Sequence, residues 1–240
     1  MPNLEEITKT KYVTNLFARI SGRYDFLNTV MTLGRHYAWR HTAVKMIGNN
    51  MNGPALDIAT GTGDFAFDLA TRTPASHVVG LDCTREMLSV AINKARRHKP
   101  TNQLTFILAD AHTLPFPDSY FASVTVGFGL RNLVDIRKAI REMIRVTKPG
   151  GRIVTLEIIR AHNRNILGKL FSICFRITTP WIGSIFARDR EAYSYLPKSV
   201  QEFLSATELA SILEEEDLTN VYFKDQALGT VAIHMGEKRP

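Results

Sequence analysis

An apolar strand pattern that leads directly into a glycine turn constrains this chain more than any other feature. Residues 55–59 are mostly apolar, and the next residues carry Gly61 and Gly63 ahead of a helical pattern that begins at Asp64. Glycine adopts positive φ without a Cβ clash, so the backbone of such a turn can approach a ligand closely. This order of strand, glycine turn and helix predicts a nucleotide-type pocket at a strand end of an α/β sheet.

Strand and helix patterns alternate through the middle of the chain. The periodicity predicts strands over 55–59, 77–82, 104–109, 122–128 and 152–156, and helices over 64–71, 85–98 and 135–147. Such alternation across short turns is typical of a parallel sheet covered on both faces. A capping box at Ser205 predicts a helix to Glu216, and strands over 221–224 and 229–235 follow without a helix between them. We therefore predict a Rossmann-like α/β fold with a seven-stranded, mostly parallel sheet and an antiparallel last strand.

The 240 residues are enough for one large domain, which we divide into four parts. Residues 1–50 read as a helical amino-terminal arm, and residues 51–159 as the cofactor-binding core. Residues 160–204 are apolar, aromatic and basic together and interrupt the alternation, which indicates a helical insertion before the last two strands. Residues 205–240 supply the closing helix and hairpin.

The net charge and the cysteine content exclude few functions. The net charge of +7 permits a nucleic acid, an anionic membrane surface or an acidic substrate as partner and selects none of them. Cys83 and Cys174 have neither metal-site nor disulfide spacing, so we expect a reducing cytoplasm and no metal. We also expect no secretory signal and no spanning helix, because no apolar run approaches the roughly 20 residues that a membrane requires.

Two kinds of cofactor use such a glycine turn. The segment from Gly61 to Ala66 satisfies the loose dinucleotide pattern, and Asp82 follows at the distance expected of a ribose-binding acid. A dehydrogenase therefore stays open as an alternative on this motif alone.

Three features favour S-adenosylmethionine instead. Asp57 lies within the strand just ahead of the glycines, where a carboxylate suits the cationic ammonium and sulfonium groups. Asp110 and Ala111 end the third strand and suit an adenine edge, with aromatic residues in the following loop. The turn at 148–151 and the antiparallel last hairpin are unlike the second half of a dinucleotide domain. These arrangements resemble class I S-adenosylmethionine-dependent methyltransferases.

More specific segments resemble a single family. These are residues 24–28, residues 32–40, the run Phe128-Gly-Leu-Arg-Asn132, and residues 145–157. Together they resemble the ubiquinone/menaquinone biosynthesis C-methyltransferases, which methylate a ring carbon of a polyprenylated quinol, and the match runs from about residue 10 to the end. The chain departs from the usual pattern with Leu27 for Met, Thr32 for Ser, and Gly127 where the family usually has Ser.

The resemblance and the turn together predict the cofactor contacts. Asp82 should accept hydrogen bonds from the ribose hydroxyls, and the resemblance places Tyr24 in an amino-terminal lid over the cofactor. Asp57 could instead cap nearby backbone amides, and Met87 either packs on the adenine or fills the core. The predicted contacts are Tyr24, Asp57, Gly61, Thr62, Gly63, Asp82, Met87, Asp110, Ala111 and Gly127.

Arg131 and Asn132 are the predicted catalytic residues, because they follow the fourth strand at the edge where the substrate should lie. Arg131 could stabilise a phenolate and Asn132 could orient the ring or a water. The alternatives are a structural salt bridge for Arg131 and a helix cap for Asn132. His36 or Asp25 could serve as the base.

The implied substrate is a polyprenyl quinol, and the apolar and basic segment 160–204 could hold its tail and touch anionic lipid headgroups. A plain helical subdomain is the alternative for that segment. We expect a cytoplasmic protein at the inner face of the membrane that binds no nucleic acid. A homodimer is one oligomeric state considered. Methylation of another lipid, such as a phospholipid amine or a sterol, and a non-catalytic subunit of a quinone-biosynthesis assembly are the other functions considered.

Overall fold

The computed structural model describes residues 4–48, 52–98, 103–160 and 190–240. Most of the predicted insertion, residues 161–189, therefore lies outside the described residues. The helices of the described ranges are α1 (Leu4–Ile20), α2 (Tyr24–Thr32), α3 (Arg35–Ile47), α4 (Asp64–Arg72), α5 (Arg85–His98), α6 (Ile136–Val146), α7 (Arg190–Glu202) and α8 (Ala206–Glu215). The strands are β1 (Ala55–Ile58), β2 (His77–Asp82), β3 (Gln103–Leu108), β4 (Phe121–Gly127), β5 (Thr147–Ile158), β6 (Leu218–Gln226) and β7 (Val231–Lys238).

The seven strands form one sheet in the order β3-β2-β1-β4-β5-β7-β6. The first five strands pair in parallel, and β7 inserts between β5 and β6 and runs antiparallel to both. The predicted fold class is confirmed. Because β1 lies inside the sheet between β2 and β4, the turn after β1 opens between the ends of these two neighbours.

Two predicted boundaries were wrong. Strand β5 begins at Thr147 rather than at residue 152, because Thr147 already pairs with Phe121 and the glycines form an irregularity before Arg152 pairs with Ser123. The predicted turn lies within this irregularity, where Gly150 has a φ of 71° and a Cβ on Gly151 would lie 2.8 Å from the Ala122 carbonyl oxygen. The closing strands are longer than predicted, because β6 alternates mainly between half-buried and exposed residues at the sheet edge and its polar residues continue the strand.

Buried side chains cover both faces of the sheet. Helices α6 and α8 contribute Ile140, Met143 and Leu209 to one apolar cluster, and α3 and α4 contribute Ile47 and Leu69 to the other. Burying side chains of this size contributes roughly 1.5–3 kcal/mol each. The sheet edge is thereby held as a rigid platform for the loops.

The amino-terminal arm is anchored on this platform by charged groups. Lys94 of α5 pairs with Asp25 of α2 at 2.8 Å and also with Asp64 at the start of α4. Arg40 of α3 contacts Asp64 at 3.1 Å and Asp68 at 2.7 Å. This network joins the arm to the two helices that follow β1 and β2, so the arm lies over the glycine turn. Within the described ranges, no helix is long and apolar enough to cross a membrane.

Candidate active site

The turn after β1 has a left-handed backbone at alternate positions. Ala59, Gly61 and Gly63 have φ of 51°, 56° and 86°. The Thr60 amide donates to the Leu81 carbonyl at 2.9 Å, which ties the turn to β2. Positive φ was expected at the glycines but not at Ala59, whose side chain carries no signal for it. A Cβ on Gly63 would lie 2.9 Å from the Phe106 ring, so Gly63 is required for packing.

Asp82 at the end of β2 binds the backbone of this turn. Its carboxylate accepts from the Gly61 amide and from the Thr84 amide, both at 2.8 Å. The residue is 7% exposed, and burial raises the pKa of its carboxyl above the ordinary value. Each carboxylate oxygen accepts one amide and keeps capacity for another donor, such as a ribose hydroxyl.

A cavity, here called the cofactor cavity, opens at the carboxyl ends of β1, β2 and β4. Seven predicted contacts line it: Tyr24, Gly61, Asp82, Met87, Asp110, Ala111 and Gly127. Asp110 accepts from the backbone amide of His112 at 2.9 Å and from its Nδ1 at 2.7 Å, and this holds the pKa of the Asp110 carboxyl below its usual value. Met87 fits both of its alternatives, since it lines the cavity and packs against Leu16 and Leu27 of the arm.

The structure places the other three predicted contacts, Asp57, Thr62 and Gly63, outside the lining of this cavity. Asp57 is 1% exposed and accepts from Thr60 at 2.6 Å and Thr125 at 2.8 Å; burial raises the pKa of its carboxyl to about 7. Asp57 thus braces the turn through two threonine hydroxyls, whereas the alternative predicted for it was to cap backbone amides. Thr62 donates to Asp25 at 2.5 Å and so holds the arm. A strand residue can face either side of the sheet, and the sequence does not say which.

The chemistry of the cofactor cavity fits a cationic cofactor better than a dinucleotide. Asp82 and Asp110 supply carboxylates, and among the described lining residues there is neither Lys nor Arg. A sulfonium and an ammonium group are stabilised in such surroundings, whereas a pyrophosphate would meet like charge. The residues present therefore fit S-adenosylmethionine.

A second cavity, here called the ring cavity, adjoins the first. The two share Phe17, Tyr24, Phe128 and Asn132, so these side chains lie between them. Phe128 has a φ of 58°, which is rare for a bulky residue and typical of a functional loop held by its surroundings. No pattern in the sequence indicated this conformation.

Arg131 and Asn132 both line the ring cavity. Arg131 is buried, pairs with buried Glu157, and donates from Nη1 to the Phe128 carbonyl at 2.7 Å. Asn132 donates to the same carbonyl at 3.3 Å and accepts from Tyr195 at 3.3 Å. The predicted salt bridge of Arg131 is therefore present at the cavity wall, and its proposed catalytic role stays a prediction.

The helix-cap alternative for Asn132 was wrong. The cap of α6 is Asp135, whose carboxylate accepts from the Lys138 amide at 2.9 Å. Asn132 belongs instead to a short 3-10 turn, in which its backbone amide donates to the Gly129 carbonyl. Its side-chain amide remains at the cavity wall.

Of the two candidate bases, only His36 faces the ring cavity. It is 3% exposed, and its Nδ1 lies 2.7 Å from the Thr32 hydroxyl. Asp25 lines neither of these two cavities, because its oxygens are taken by Thr62 and Lys94. The sequence alone did not separate the two.

An apolar groove adjoins the ring cavity and lies at the surface. The two share Met31, Thr32 and Ile158. Leu33 and Leu228 line the groove and are 88% and 54% exposed, and both have positive φ. The described part of the chain thus presents three adjacent spaces with shared lining residues, the first acidic, the second mixed and the third apolar.

Comparison with known proteins gives a consistent result. The model of the ubiE/COQ5 methyltransferase family matches residues 5–238. The ubiquinone/menaquinone biosynthesis C-methyltransferase UbiE of Geobacter sulfurreducens is 38% identical over 231 residues, which are 96% of this chain and 90% of that protein. The demethylmenaquinone methyltransferase of Anoxybacillus flavithermus is 38% identical over 234 residues, 96% of this chain and 97% of that protein.

Solved structures agree on the fold. A SAM-dependent methyltransferase from Thermotoga maritima aligns with a TM-score of 0.66 at 18% identity, covering 95% of this chain and 100% of that one. Phosphoethanolamine N-methyltransferase 2 of Haemonchus contortus, in complex with S-adenosyl-L-methionine, aligns with a TM-score of 0.62 at 16% identity, covering 84% of this chain and 52% of that one.

Proposed function

The chain belongs to the ubiE/COQ5 methyltransferase family, and we propose that it transfers a methyl group to a ring carbon of a polyprenylated quinol. It is an S-adenosylmethionine-dependent C-methyltransferase, as its sequence relatives and its cofactor cavity indicate. The acceptor is the part that we propose.

The adjacency of the three spaces is the observation that supports this acceptor. A polyprenylated quinol has a ring with two hydroxyls and a long hydrocarbon tail. The ring cavity offers Arg131, Asn132 and His36 to the hydroxyls and aromatic walls to the ring. The groove beyond it is lined mainly by apolar side chains and reaches the surface, which suits the tail.

The residues of the chain contribute position and charge. Bound S-adenosylmethionine supplies an electrophilic methyl group. Tyr24 and Phe128 lie between the cavities and limit the ring to poses that face the cofactor. Nε of Arg131 is an N–H donor at the ring cavity and stabilises a ring oxygen as it becomes anionic. Holding both reactants in one orientation supplies much of the rate.

A peripheral contact with the membrane follows from the exposed end of the groove. Leu33 and Leu228 present apolar side chains to solvent where the tail would leave the protein. The net charge of +7 favours the anionic inner face of a cytoplasmic membrane. We therefore propose a cytoplasmic enzyme that withdraws its substrate from that face.

Methyl transfer from labelled S-adenosylmethionine to chemically reduced acceptors tests the proposal. We expect transfer to a prenylated demethyl-quinol, and a kcat/KM at least tenfold lower for the same ring without a tail. Transfer to phosphatidylethanolamine or a sterol but not to the quinol would contradict the proposed acceptor. Absence of cofactor binding in calorimetry would favour a non-catalytic subunit.

A matched pair of variants locates the tail. Leu228→Asn keeps a residue that tolerates positive φ but removes apolar surface from the groove. We expect its KM for the tailed quinol to rise about three- to tenfold, because part of a leucine burial is lost, and its rate with the tail-free ring to stay unchanged. Tyr222→Asn removes a similarly exposed side chain outside the groove and should change neither.

A further inference from the structure

Two buried polar atoms at the ring cavity have no hydrogen-bond partner. They are Nε2 of His36 and Nε of Arg131, and both residues line that cavity. Buried polar atoms are nearly always paired, so an unpaired one on a residue that lines a cavity points to a bond with an occupant of that cavity, a water or a ligand. His41 also has an unpaired ring nitrogen, but it lines neither the ring cavity nor the cofactor cavity.

The hydrogen bonds of Thr32 determine which nitrogen of His36 carries the proton. The Thr32 hydroxyl donates to the Asn28 carbonyl at 2.7 Å, and a carbonyl can only accept. Its single hydrogen is thereby used, so Thr32 accepts the bond from His36 Nδ1, which lies 2.7 Å away. Neutral His36 is therefore protonated at Nδ1 and presents a free lone pair at Nε2.

His36 is also the one strong proton acceptor among the described residues that line the ring cavity. Arg131 is a permanent cation paired with Glu157, and the amides of Asn28 and Asn132 are not basic. The phenols of the two cavity tyrosines stay protonated, because burial raises the pKa of each.

We propose that His36 Nε2 is the general base that accepts the proton of the quinol hydroxyl adjacent to the methylated carbon. This inference rests on the proposed acceptor. The O–H bond breaks, its electron pair stays on oxygen, and a new N–H bond forms at Nε2, leaving an imidazolium. The electron pair delocalises to the ortho carbon, which would bond the methyl group as the bond from that methyl to sulfur breaks and its electron pair stays on sulfur. The proton of the ortho carbon then leaves to solvent, and the His36 imidazolium returns its proton to the ring oxygen. Thr32 is the positioning residue, since it fixes the tautomer of His36.

The surroundings of His36 keep it in its basic form. Burial and the nearby Arg40 lower the pKa of His36, while Asp64, Asp25 and Asp68 act in the opposite direction. The ring of Tyr37 packs on the imidazole with centroids 4.0 Å apart. With a pKa below 6.5, His36 is neutral at pH 7 and can accept a proton.

His36→Asn and His41→Asn form a matched test, because both lie on α3 and both have an unpaired nitrogen. The His36→Asn variant retains an amide donor for Thr32 but has no basic nitrogen. We expect its kcat with the quinol to fall about 100-fold or more, its KM to change less than threefold, and its cofactor affinity to stay unchanged. The acid decline of kcat/KM in the wild-type enzyme should disappear. His41→Asn should behave like wild type.

Thr32 provides a second test that includes a readout independent of activity. Thr32→Ser keeps the hydroxyl and should retain activity, whereas Thr32→Val should lower kcat and mix the two His36 tautomers in ¹⁵N NMR spectra. The inference is overturned if free wild-type protein carries the His36 proton on Nε2, or if His36→Asn keeps its kcat and its acid decline. Failure of the proposed acceptor is a different result, in which wild-type enzyme leaves the quinol unmethylated.

Discussion

Gly127 should be intolerant of a side chain for a reason that can be calculated from its neighbours. A Cβ at this position would lie 2.7 Å from Cδ1 and 3.4 Å from Cε1 of Phe65. Phe65 is 4% exposed and packs in the cluster under the sheet, so its ring has little room to move. Overpacking of this kind costs about 1–3 kcal/mol. We expect Gly127→Ser to lower the free energy of unfolding by that amount and Tm by roughly 2–10 °C.

A double-mutant cycle separates the clash from other effects. Phe65→Leu removes the ring atoms and should alone cost about 1 kcal/mol, but combined with Gly127→Ser it should cost at least 1 kcal/mol less than the two single effects added. Gly127→Ala introduces the same Cβ without the hydroxyl and should destabilise as much as Gly127→Ser. When each is combined with Phe65→Leu, Gly127→Ser should lower the Kd for the cofactor, because it adds a hydroxyl, whereas Gly127→Ala should not. Additive effects in urea unfolding would refute the argument.

Three further results are expected. Asp82→Asn removes a charge but keeps an acceptor for the turn, so the Kd for S-adenosylmethionine in calorimetry should rise ~10- to 100-fold. Burial lowers the pKa of His234 from 6.5 to about 4, so on acidification the unfolded state binds a proton that the folded state refuses; relative to His234→Gln, wild type should lose about 2 kcal/mol in urea unfolding between pH 7 and pH 5. Arg131→Met should destabilise by ~3–5 kcal/mol because Glu157 is left buried and unpaired, whereas Arg131→Met with Glu157→Leu should cost less.

Each result has a control. Asp217 is exposed and distant from the cofactor cavity, so Asp217→Asn should bind the cofactor as wild type does. Equal pH dependence in wild type and His234→Gln would contradict the burial argument. If the Arg131 double variant is stable but inactive, the ion pair is not needed for the fold but is needed for the reaction. Activity in the double variant would exclude a catalytic role for Arg131.

The sequence predicted the cofactor cavity better than the ring cavity. Gly61, Asp82 and Asp110 follow three parallel strands, and the carboxyl ends of such strands always meet at one sheet edge. The direction of Asp57 was not predictable, because it depends on which face of β1 meets Thr125. The bond of Thr62 to the arm was not predictable either, because its partner Asp25 lies 37 positions away in a segment whose position depends on long-range ion pairs.

The polar side chains of the arm and the adjoining ring cavity are of two kinds, paired and unpaired, and this difference bears on how the substrate binds. Asp25 and Arg40 are paired and hold the arm in place. His36 Nε2 and Arg131 Nε are unpaired at the ring cavity, and each unsatisfied atom costs the folded protein about 1–3 kcal/mol. A quinol that bonds both atoms recovers this free energy, which a ring without hydroxyls cannot do. The same two atoms therefore favour the reduced, hydroxyl-bearing ring, since a quinone carbonyl can accept from Arg131 but has no proton for His36.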